Sequence, residues 1–523
     1  MAVATTERAT TLLKALVRER RLTVREALAV LQTRADGLGE SGYALSERQF
    51  RRWMAGDVTS LANARAANVR VVEEEFGWSI DALLGADDRP ELQTVASPTA
   101  SGRALRTEQL VGWVAAHSDV SFSDAYLTVA READRIAGAP PLARAVSAHG
   151  RGQVDRLKVT EALAAYYAND ARFYVTSIGD HVVTSTLVAL QGWTGLAIPL
   201  GGGAERFERG PERERRPIRL DRRQAAAALD RLACVEATGT VLVNNPLFDL
   251  NTIDLSEGRI TAEVGATEFA AYALTGDLLE SELRTELARG TRDLRLGTAA
   301  LRAAWLPTVD HALDVESRLC TGGPVCLVAI AEDDHYRLLV QERSPQVLNG
   351  TGTLSVIPKA FHQPLSDMPR DVALSATIER ELEEELFGRP DIEQLSPGNG
   401  RRVAPLHPEC ASDPMRWLHD HADAWRMECT AFGINMVSGN YEFACLVAVH
   451  DPEWWQRFGH LLEANWEADR MHSVSSLDTG RLAELVDDPK WSNEGLFAFI
   501  EGLRRLSEID PNRVAPLMAR TPS

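Results

Sequence analysis

The chain has 523 residues, of which 45% are hydrophobic and 25% charged, and this ordinary globular composition at this length favours several domains. No apolar run approaches a membrane-spanning length, and the first residues lack the basic, apolar and small-residue succession of a signal peptide. We therefore predict a cytoplasmic protein without a membrane partner, whose six cysteines, none in a C-x-x-C pair, are free thiols.

The net charge of −19 argues against a protein that coats nucleic acid, but this charge is unevenly distributed. Residues 1–72 contain twelve basic and seven acidic residues, a net charge of +5, which leaves −24 for the remainder. A basic head on an acidic body is typical of a DNA-binding module joined to a different domain.

The first 90 residues are predicted to form a small all-α head. Residues 10–34 have helical apolar spacing, and a second helix begins after the N-cap residue Ser46, with Phe50 and Trp53 on its apolar side. A third helix is predicted at 64–76, followed by a short helix at 80–84.

Residues 44–56 resemble the second helix of a helix-turn-helix, of the kind found at the N-terminus of actinobacterial regulators, through Leu45-Ser46-Glu47-Arg48 and Arg51-Arg52-Trp53. The resemblance implies that this helix enters the DNA major groove and that the protein dimerises if it reads two half-sites. The residues implied to contact DNA are polar and lie along this helix: Ser46, Arg48, Gln49 and Arg52. The alternative is a small helical docking domain with an exposed basic face.

Residues 91–104 are rich in Ser, Thr, Pro and Gly and are predicted to be a linker. Residues 105–322 are predicted to be a central α/β domain of unknown role. Its elements are helices over 105–170, strand-like alternation at 173–190, a charged glycine-rich loop at 201–217, strands within 240–263 and a helix at 267–287.

From residue 323 onward the pattern changes to strands followed by helices. We predict strands at 325–331, 336–343 and 354–357, a helix at 371–387, a hairpin of 430–437 with 441–449, and helices at 477–486 and 493–506. This order predicts a sheet layered with helices.

Three acidic residues of the helix at 371–387 share one helical face. Glu381, Glu384 and Glu385 lie at i, i+3 and i+4, so their carboxylates are neighbours that repel one another unless water or a divalent cation stabilises them. Mg²⁺ prefers oxygen ligands. The alternative is a solvated acidic face, but such faces usually include Lys, and Arg380 is the only base between 379 and 385.

Arg380-Glu381-Leu382-Glu383-Glu384-Glu385 resembles the core of the Nudix box, which reads Arg-Glu, aliphatic, any residue, Glu-Glu. The resemblance covers about the last 190 residues and implies an α/β/α sandwich over 323–510. It implies that Glu381, Glu384 and Glu385 hold Mg²⁺ or Mn²⁺ while a diphosphate linkage is hydrolysed. Glu384 and Arg380 would then be catalytic, with Arg380 orienting a glutamate through a salt bridge.

The sequence departs from the Nudix pattern around this core. Val372 stands where a glutamate is expected, Lys359-Ala360 replaces Gly-Gly after Pro358, and the closing glycine is displaced to Gly388. These departures from the hydrolase pattern favour a domain that binds its ligand without hydrolysing it. Arg343, Lys359 and His362 lie before the helix and are expected to offer cationic groups to a phosphate-bearing ligand.

Two functions from different classes follow from these features. The first is a DNA-binding transcriptional regulator that uses the Nudix-like domain as a sensor of a nucleotide-type small molecule. The alternative is a Mg²⁺-dependent Nudix hydrolase that cleaves a nucleoside diphosphate-linked substrate. An interaction scaffold that keeps both folds only as shapes is a third hypothesis, because fold does not fix function.

Overall fold

The protein is represented by a computed structural model. It describes residues 11, 13–14, 17, 24–38, 40, 42–55, 65–76, 80–84, 105–138, 155–178, 181–210, 218–240, 242–290, 294, 299–344, 352–364, 371–387, 411–462 and 468–516. The described residues before 103 belong to one compact unit and those from 105 onward to a second. The predicted linker at 91–104 lies outside the described residues.

The first unit contains helices α1 (Val24–Gly37), α2 (Glu47–Met54), α3 (Ala66–Phe76) and α4 (Ile80–Leu84). Ser46 is the N-cap of α2, because its hydroxyl accepts a hydrogen bond from the Gln49 amide at 3.2 Å. Phe50 and Trp53 are buried against apolar residues of α1 and α3. The predicted second, third and fourth helices of this head are therefore confirmed.

The second unit begins with helices α5 (Glu108–Ala116), α6 (Phe122–Gly138) and α7 (Arg156–Tyr166) and strands β1 (Phe173–Ile178), β2 (His181–Val188), β3 (Ile198–Pro199) and β4 (Glu205–Arg209). It continues with α8 (Arg222–Thr238), β5 (Pro246–Asp254), β6 (Ile260–Glu268), α9 (Phe269–Ala273), α10 (Gly276–Ala288), α11 (Ala300–Trp305) and α12 (Val309–Leu313). The loop prediction at 201–217 is wrong for β4, which pairs in parallel with β6 in a small sheet of order β4-β6-β5. The helix predicted at 267–287 is two helices, α9 and α10, because β6 extends to Glu268 and the chain turns again at Thr275.

The rest of the unit contains β7 (Gly322–Glu332), β8 (His335–Arg343), β9 (Leu354–Val356), α13 (Leu374–Glu385), α14 (Asp413–Asp420), β10 (Trp425–Asn435) and β11 (Tyr441–Val449). It ends with α15 (Pro452–Phe458), β12 (Ala468–Ser475), α16 (Thr479–Asp487) and α17 (Asn493–Ile509). All the strands and helices predicted in this region are present, whereas α14, α15 and β12 were not predicted.

A nine-stranded sheet runs through this second unit in the order β1-β2-β10-β11-β7-β8-β12, with β3 added to β10 and β9 to β8. Strand β11 is parallel to β7, and the remaining pairs are antiparallel. The β1–β2 hairpin belongs to the region predicted as a separate central domain, yet Val188 and Leu187 of β2 pair with β10. The boundary predicted between residues 322 and 323 therefore falls inside one compact unit.

The sheet lies between α13 and α17. Cys326, Val328 and Ile330 of β7 belong to the apolar cluster that contains Ile378 and Leu382 of α13. The alternate residues of the same strand (Val325, Leu327 and Ala329) belong to the cluster that contains Leu496 and Phe497 of α17. Because successive strand residues point to opposite faces, the two helices cover opposite sides of the sheet.

Two glycines at the start of β7 allow close chain approach. A Cβ atom on Gly322 would lie 1.8 Å from the Tyr441 carbonyl oxygen, and one on Gly323 would lie 2.1 Å from the Ala360 carbonyl oxygen. These positions accept no side chain, so the Gly322-Gly323 pair keeps β7, β11 and the segment after Pro358 in contact.

Two predictions concern the state of the cysteines and the presence of membrane-spanning segments. The five cysteines among them are free thiols, as predicted. Among the described segments, no helix combines the length and apolar character that crossing a membrane requires.

Candidate functional site

The acidic helix α13 packs against the sheet, and most of its residues are buried. Ile378 and Leu382 pack in the core, and the three face-sharing carboxylates Glu381, Glu384 and Glu385 are only 8%, 7% and 1% exposed. The alternative of a solvated acidic face is therefore wrong. Buried carboxylates are costly unless charged or hydrogen-bonding partners compensate for lost water.

Arg380 supplies the first such partner. Its Nη2 and Nε lie 2.7 and 3.1 Å from Glu381 Oε1, and the arginine is 3% exposed. The ion pair expected between Arg380 and a glutamate is therefore present. A buried pair of this kind is stable only while both partners are retained, because removing one leaves an uncompensated charge.

Glu385 is held by Gln341 of β8 and by the backbone that follows β9. Its Oε1 accepts a hydrogen bond from the Lys359 backbone amide at 3.1 Å, and its Oε2 lies 3.5 Å from Nε2 of Gln341. Gln341 Nε2 also donates to the Val356 carbonyl oxygen at 3.2 Å. The sequence analysis missed Gln341, although it lies two residues before Arg343 and so shares its strand face.

Strand β8 directs these side chains toward α13. Leu339 packs in the α13 cluster, whereas Leu338 and Val340 pack in the α17 cluster. The strict alternation of a strand therefore places Gln341 and Arg343 on the α13 side. Arg343 is 8% exposed at the end of β8, where its carbonyl oxygen accepts from Gly352.

The backbone amide of Lys359 lies on the α13 side of the sheet, but its ammonium group lies on the opposite side. Lys359 forms a β-bridge with Val325, whose side chain faces α17, and its Nζ pairs with Glu494 at the start of α17. In this arrangement Lys359 reaches a phosphate-bearing ligand only if that ion pair opens.

The Lys359–Glu494 pair belongs to a buried polar network. Asn435 Nδ2 donates to Glu494 Oε2 at 3.2 Å and lies 3.4 Å from Glu442 Oε1. Burial raises the pKa of Glu442 to about 8. Burial also opposes ionisation of Glu494, but the Lys359 charge and hydrogen bonds outweigh it and lower the pKa of that carboxyl. The network therefore contains an ion pair beside a carboxyl whose protonated form is favoured by burial.

His362 is not a phosphate-binding cation. It is fully buried, with its ring 5.3 Å from that of Phe207 and 4.6 Å from that of Phe248. Its Nε2 lies 3.0 Å from the Val372 carbonyl oxygen, and burial lowers the pKa of the imidazole to about 3. The expected role of His362 is wrong, because a neutral core residue occupies this position.

Residues from the preceding strands and following helices also fix α13. Glu205 at the start of β4 accepts hydrogen bonds from the Ser375 and Gly201 amides, each at 2.9 Å. Glu383 accepts from the Ser412 amide at the start of α14 at 2.8 Å. Glu383 therefore anchors α13 to the start of α14. Gly388, the glycine expected to close the motif, lies outside the described residues.

Among the described residues, Glu381, Glu384 and Glu385 do not form the three-ligand metal group that the sequence resemblance implies. Within the described part of the chain, no three acidic, histidine or cysteine side chains converge into a metal-binding group. Mg²⁺ commonly takes one or two carboxylates and completes its shell with water and substrate phosphates. Glu384 or Glu385 supplies suitable carboxylate oxygens, so a cation here would depend on water and ligand oxygens for the rest of its shell.

In the first unit, the solvent-facing side of α2 is basic. Arg48, Arg51 and Arg52 line a surface depression with Glu47, and Arg51 pairs with Glu47 at 2.7 Å. Ser46 is engaged as the N-cap, and Gln49 is half-buried. Of the residues predicted to contact DNA, the helix therefore brings Arg48 and Arg52 together, with Arg51 as an addition.

Neither a scan against protein-family models nor a search of curated proteins finds a match to this chain.

Proposed function

We propose that this protein is a DNA-binding regulator whose second unit binds a nucleotide-type ligand at helix α13. The observation that carries the proposal is the exposed basic side of α2, in a compact unit of its own. Arg48 and Arg52 are one helical turn apart, a spacing that suits contact with the edges or phosphates of adjacent nucleotides. Phe50 and Trp53 on the opposite side hold the helix on its small core.

The buried carboxylates of α13 support the ligand-binding half of the proposal. Helix α13 buries Glu381, Glu384 and Glu385 beside Arg380, and β8 places Arg343 on the same side of the sheet. Oxygen donors for a cation and a cationic side chain for a phosphate therefore lie on one side of the sheet. A sheet with α13 on one side and α17 on the other supports the proposal, because the Nudix resemblance implies a sheet covered by helices on both faces. Binding must favour one conformational state of the protein if it is to change DNA affinity.

The DNA-binding half is tested by selecting bound sequences from random duplexes with the full chain and measuring affinity by fluorescence anisotropy. Arg48→Ala/Arg52→Ala should weaken binding by at least about tenfold, since each base-contacting arginine contributes about 1 to 3 kcal/mol. Arg259→Ala, which removes an exposed arginine of the second unit, is the matched control. A wild-type chain that enriches no sequence, or a double variant that binds normally, would overturn the proposal.

The sensor half is tested by repeating the anisotropy titration with Mg²⁺ and ADP-ribose or nucleoside diphosphates. A shift in DNA affinity that Glu384→Gln abolishes is the expected result. Glu379→Gln is the control, because Glu379 lies on the same helix but pairs with His419. Unchanged DNA affinity with every compound would refute the sensor function while leaving DNA binding in place.

A second candidate function is Mg²⁺-dependent hydrolysis of a nucleoside diphosphate-linked substrate. The Arg380–Glu381 ion pair favours it, since a fixed carboxylate is what metal-assisted hydrolysis requires. When bound, Mg²⁺ would polarise a phosphoryl group and lower the pKa of a water. Product release from a diphosphate panel, lost in Glu384→Gln and kept in Glu379→Gln, would establish the enzyme; its absence would exclude hydrolysis of those substrates.

A further inference from the structure

The side chain of Gln341 presents an oxygen that the protein leaves without a hydrogen-bond donor. Gln341 is fully buried, and within the described residues its Oε1 has no hydrogen-bond partner. Buried polar atoms are nearly always satisfied by protein or by ordered water, so this oxygen calls for a donor that the described residues do not supply.

The orientation of this amide is determined by its neighbours. Nε2 lies 3.2 Å from the Val356 carbonyl oxygen and 3.5 Å from Glu385 Oε2, and both of these atoms are acceptors. A flipped amide would place Oε1 against the same two oxygens and lose both contacts. The unpartnered atom is therefore the carbonyl oxygen, an acceptor, on the α13 side of β8.

A second buried polar atom lies on the same side of the sheet. Thr377 precedes Glu381 by one helical turn, so the two residues share a face of α13. Its side chain is 1% exposed, and its Oγ1 also has no partner in the described part of the chain. Two unsatisfied oxygens, one on β8 and one on α13, accompany the carboxylates of this helix.

We propose that Gln341 Oε1 accepts a hydrogen bond from a water of a hydrated divalent cation bound at the α13 carboxylates. The proposal rests on the ligand-binding half of the proposed function. Mg²⁺ and Mn²⁺ retain coordinated waters at protein sites, and those waters are strong donors that need acceptors. Gln341 contributes an acceptor without adding charge, and its contact with Glu385 orients the carboxylate as well. Gln341 is thus a positioning residue for the cation shell.

The test uses the full chain and Mn²⁺ as the probe, with binding followed by electron paramagnetic resonance and water proton relaxation. Gln341→Met keeps the length of the side chain but removes the acceptor, and should weaken Mn²⁺ binding by about tenfold. Val340→Ala, on the same strand but facing α17, should lower stability without changing the affinity.

Each outcome decides the question. Wild-type affinity in a folded Gln341→Met variant would overturn the inference and show that Oε1 meets an isolated buried water only. If Gln341→Met does not fold, proton relaxation of the wild-type chain decides instead, because bound Mn²⁺ that keeps no coordinated water would overturn the inference. A wild-type chain that binds no Mn²⁺ refutes the cation site itself and the inference with it, whereas normal wild-type binding with unaffected variants refutes only the role of Gln341.

Discussion

The ion pair between Lys359 and Glu494 should contribute measurably to the stability of the second unit. The two side chains are 19% and 11% exposed, so each charge has lost most of its water. Removing one partner of a fully buried pair costs about 3 to 5 kcal/mol. With the residual exposure, we expect Glu494→Gln and Lys359→Met each to lower the free energy of unfolding by about 2 to 3 kcal/mol.

The double variant separates the pair from the individual side chains. Lys359→Met/Glu494→Gln leaves neither charge buried, so its cost should be smaller than the sum of the single costs by about 2 kcal/mol. The assay is urea unfolding followed by circular dichroism at pH 7. Glu501→Gln is the matched control: this residue is buried in the same helix but bonds to Tyr174 and Gly195, so its combination with Lys359→Met should be additive.

Additivity within about 0.5 kcal/mol for Lys359 and Glu494 would refute the reasoning, because coupled neighbours must deviate from the sum. Non-additivity for Lys359 and Glu501 would instead show that any change in α17 propagates to Lys359.

Three further predictions concern single residues. The pKa of Glu442 is raised from 4.5 to about 8, so between these pH values the native state binds more protons than the unfolded state. The free energy of unfolding should therefore fall as pH rises from 4.5 to 8. Glu442→Gln should remove this contribution to the pH dependence measured by urea unfolding. The pKa of His362 is lowered from 6.5 to about 3, so its contribution to stability should be lost as pH falls from 6.5 toward 3, and a His362→Phe variant should show less acid destabilisation over that range than wild type. Gly323→Ala should cost about 3 kcal/mol or more in thermal unfolding, because its Cβ would lie 2.1 Å from a carbonyl oxygen, whereas Gly202→Ala, with no atom within 4 Å, should change stability by less than about 0.5 kcal/mol.

Local patterns were sufficient to predict most elements of the C-terminal region. The continuous apolar run at 325–331 predicted β7, and the chain turns after it at Asp333, which lies in the left-handed region at φ 50°, before β8 begins. Ser46 likewise gave the start of α2 through its capping hydroxyl. In each case the signal lies within a few residues of the feature it predicts.

Long-range pairing was not predictable from the same signals. Strand β2 joins β10 through contacts such as Thr186 with Asn435, which are 249 positions apart. The amphipathic pattern of β2 reports that one face is buried, but it does not identify the strand that covers its edge. The central region was therefore predicted as a separate domain although its hairpin extends the main sheet.

The candidate site was predicted in part. The spacing of Glu381, Glu384 and Glu385 identified α13, but spacing cannot report burial, which excludes a solvated face. His362 was expected to be cationic because of its position in the sequence, whereas its packing among Phe207 and Phe248 makes it neutral. Gln341 has no motif, and only its unsatisfied oxygen identifies it.

Lys359 illustrates why a motif position does not determine a side-chain role. Its backbone amide faces α13 and holds Glu385, while its ammonium crosses to the α17 side and pairs with Glu494. A glycine at this position would provide the first contact without the second. Lys359 therefore joins the acidic helix to the opposite helix through one residue. Under the proposed function, a ligand that displaces Glu385 would act on the backbone that positions the Lys359–Glu494 pair. This connection would give the two helices a physical means of responding together to one ligand, which the proposed sensor function requires.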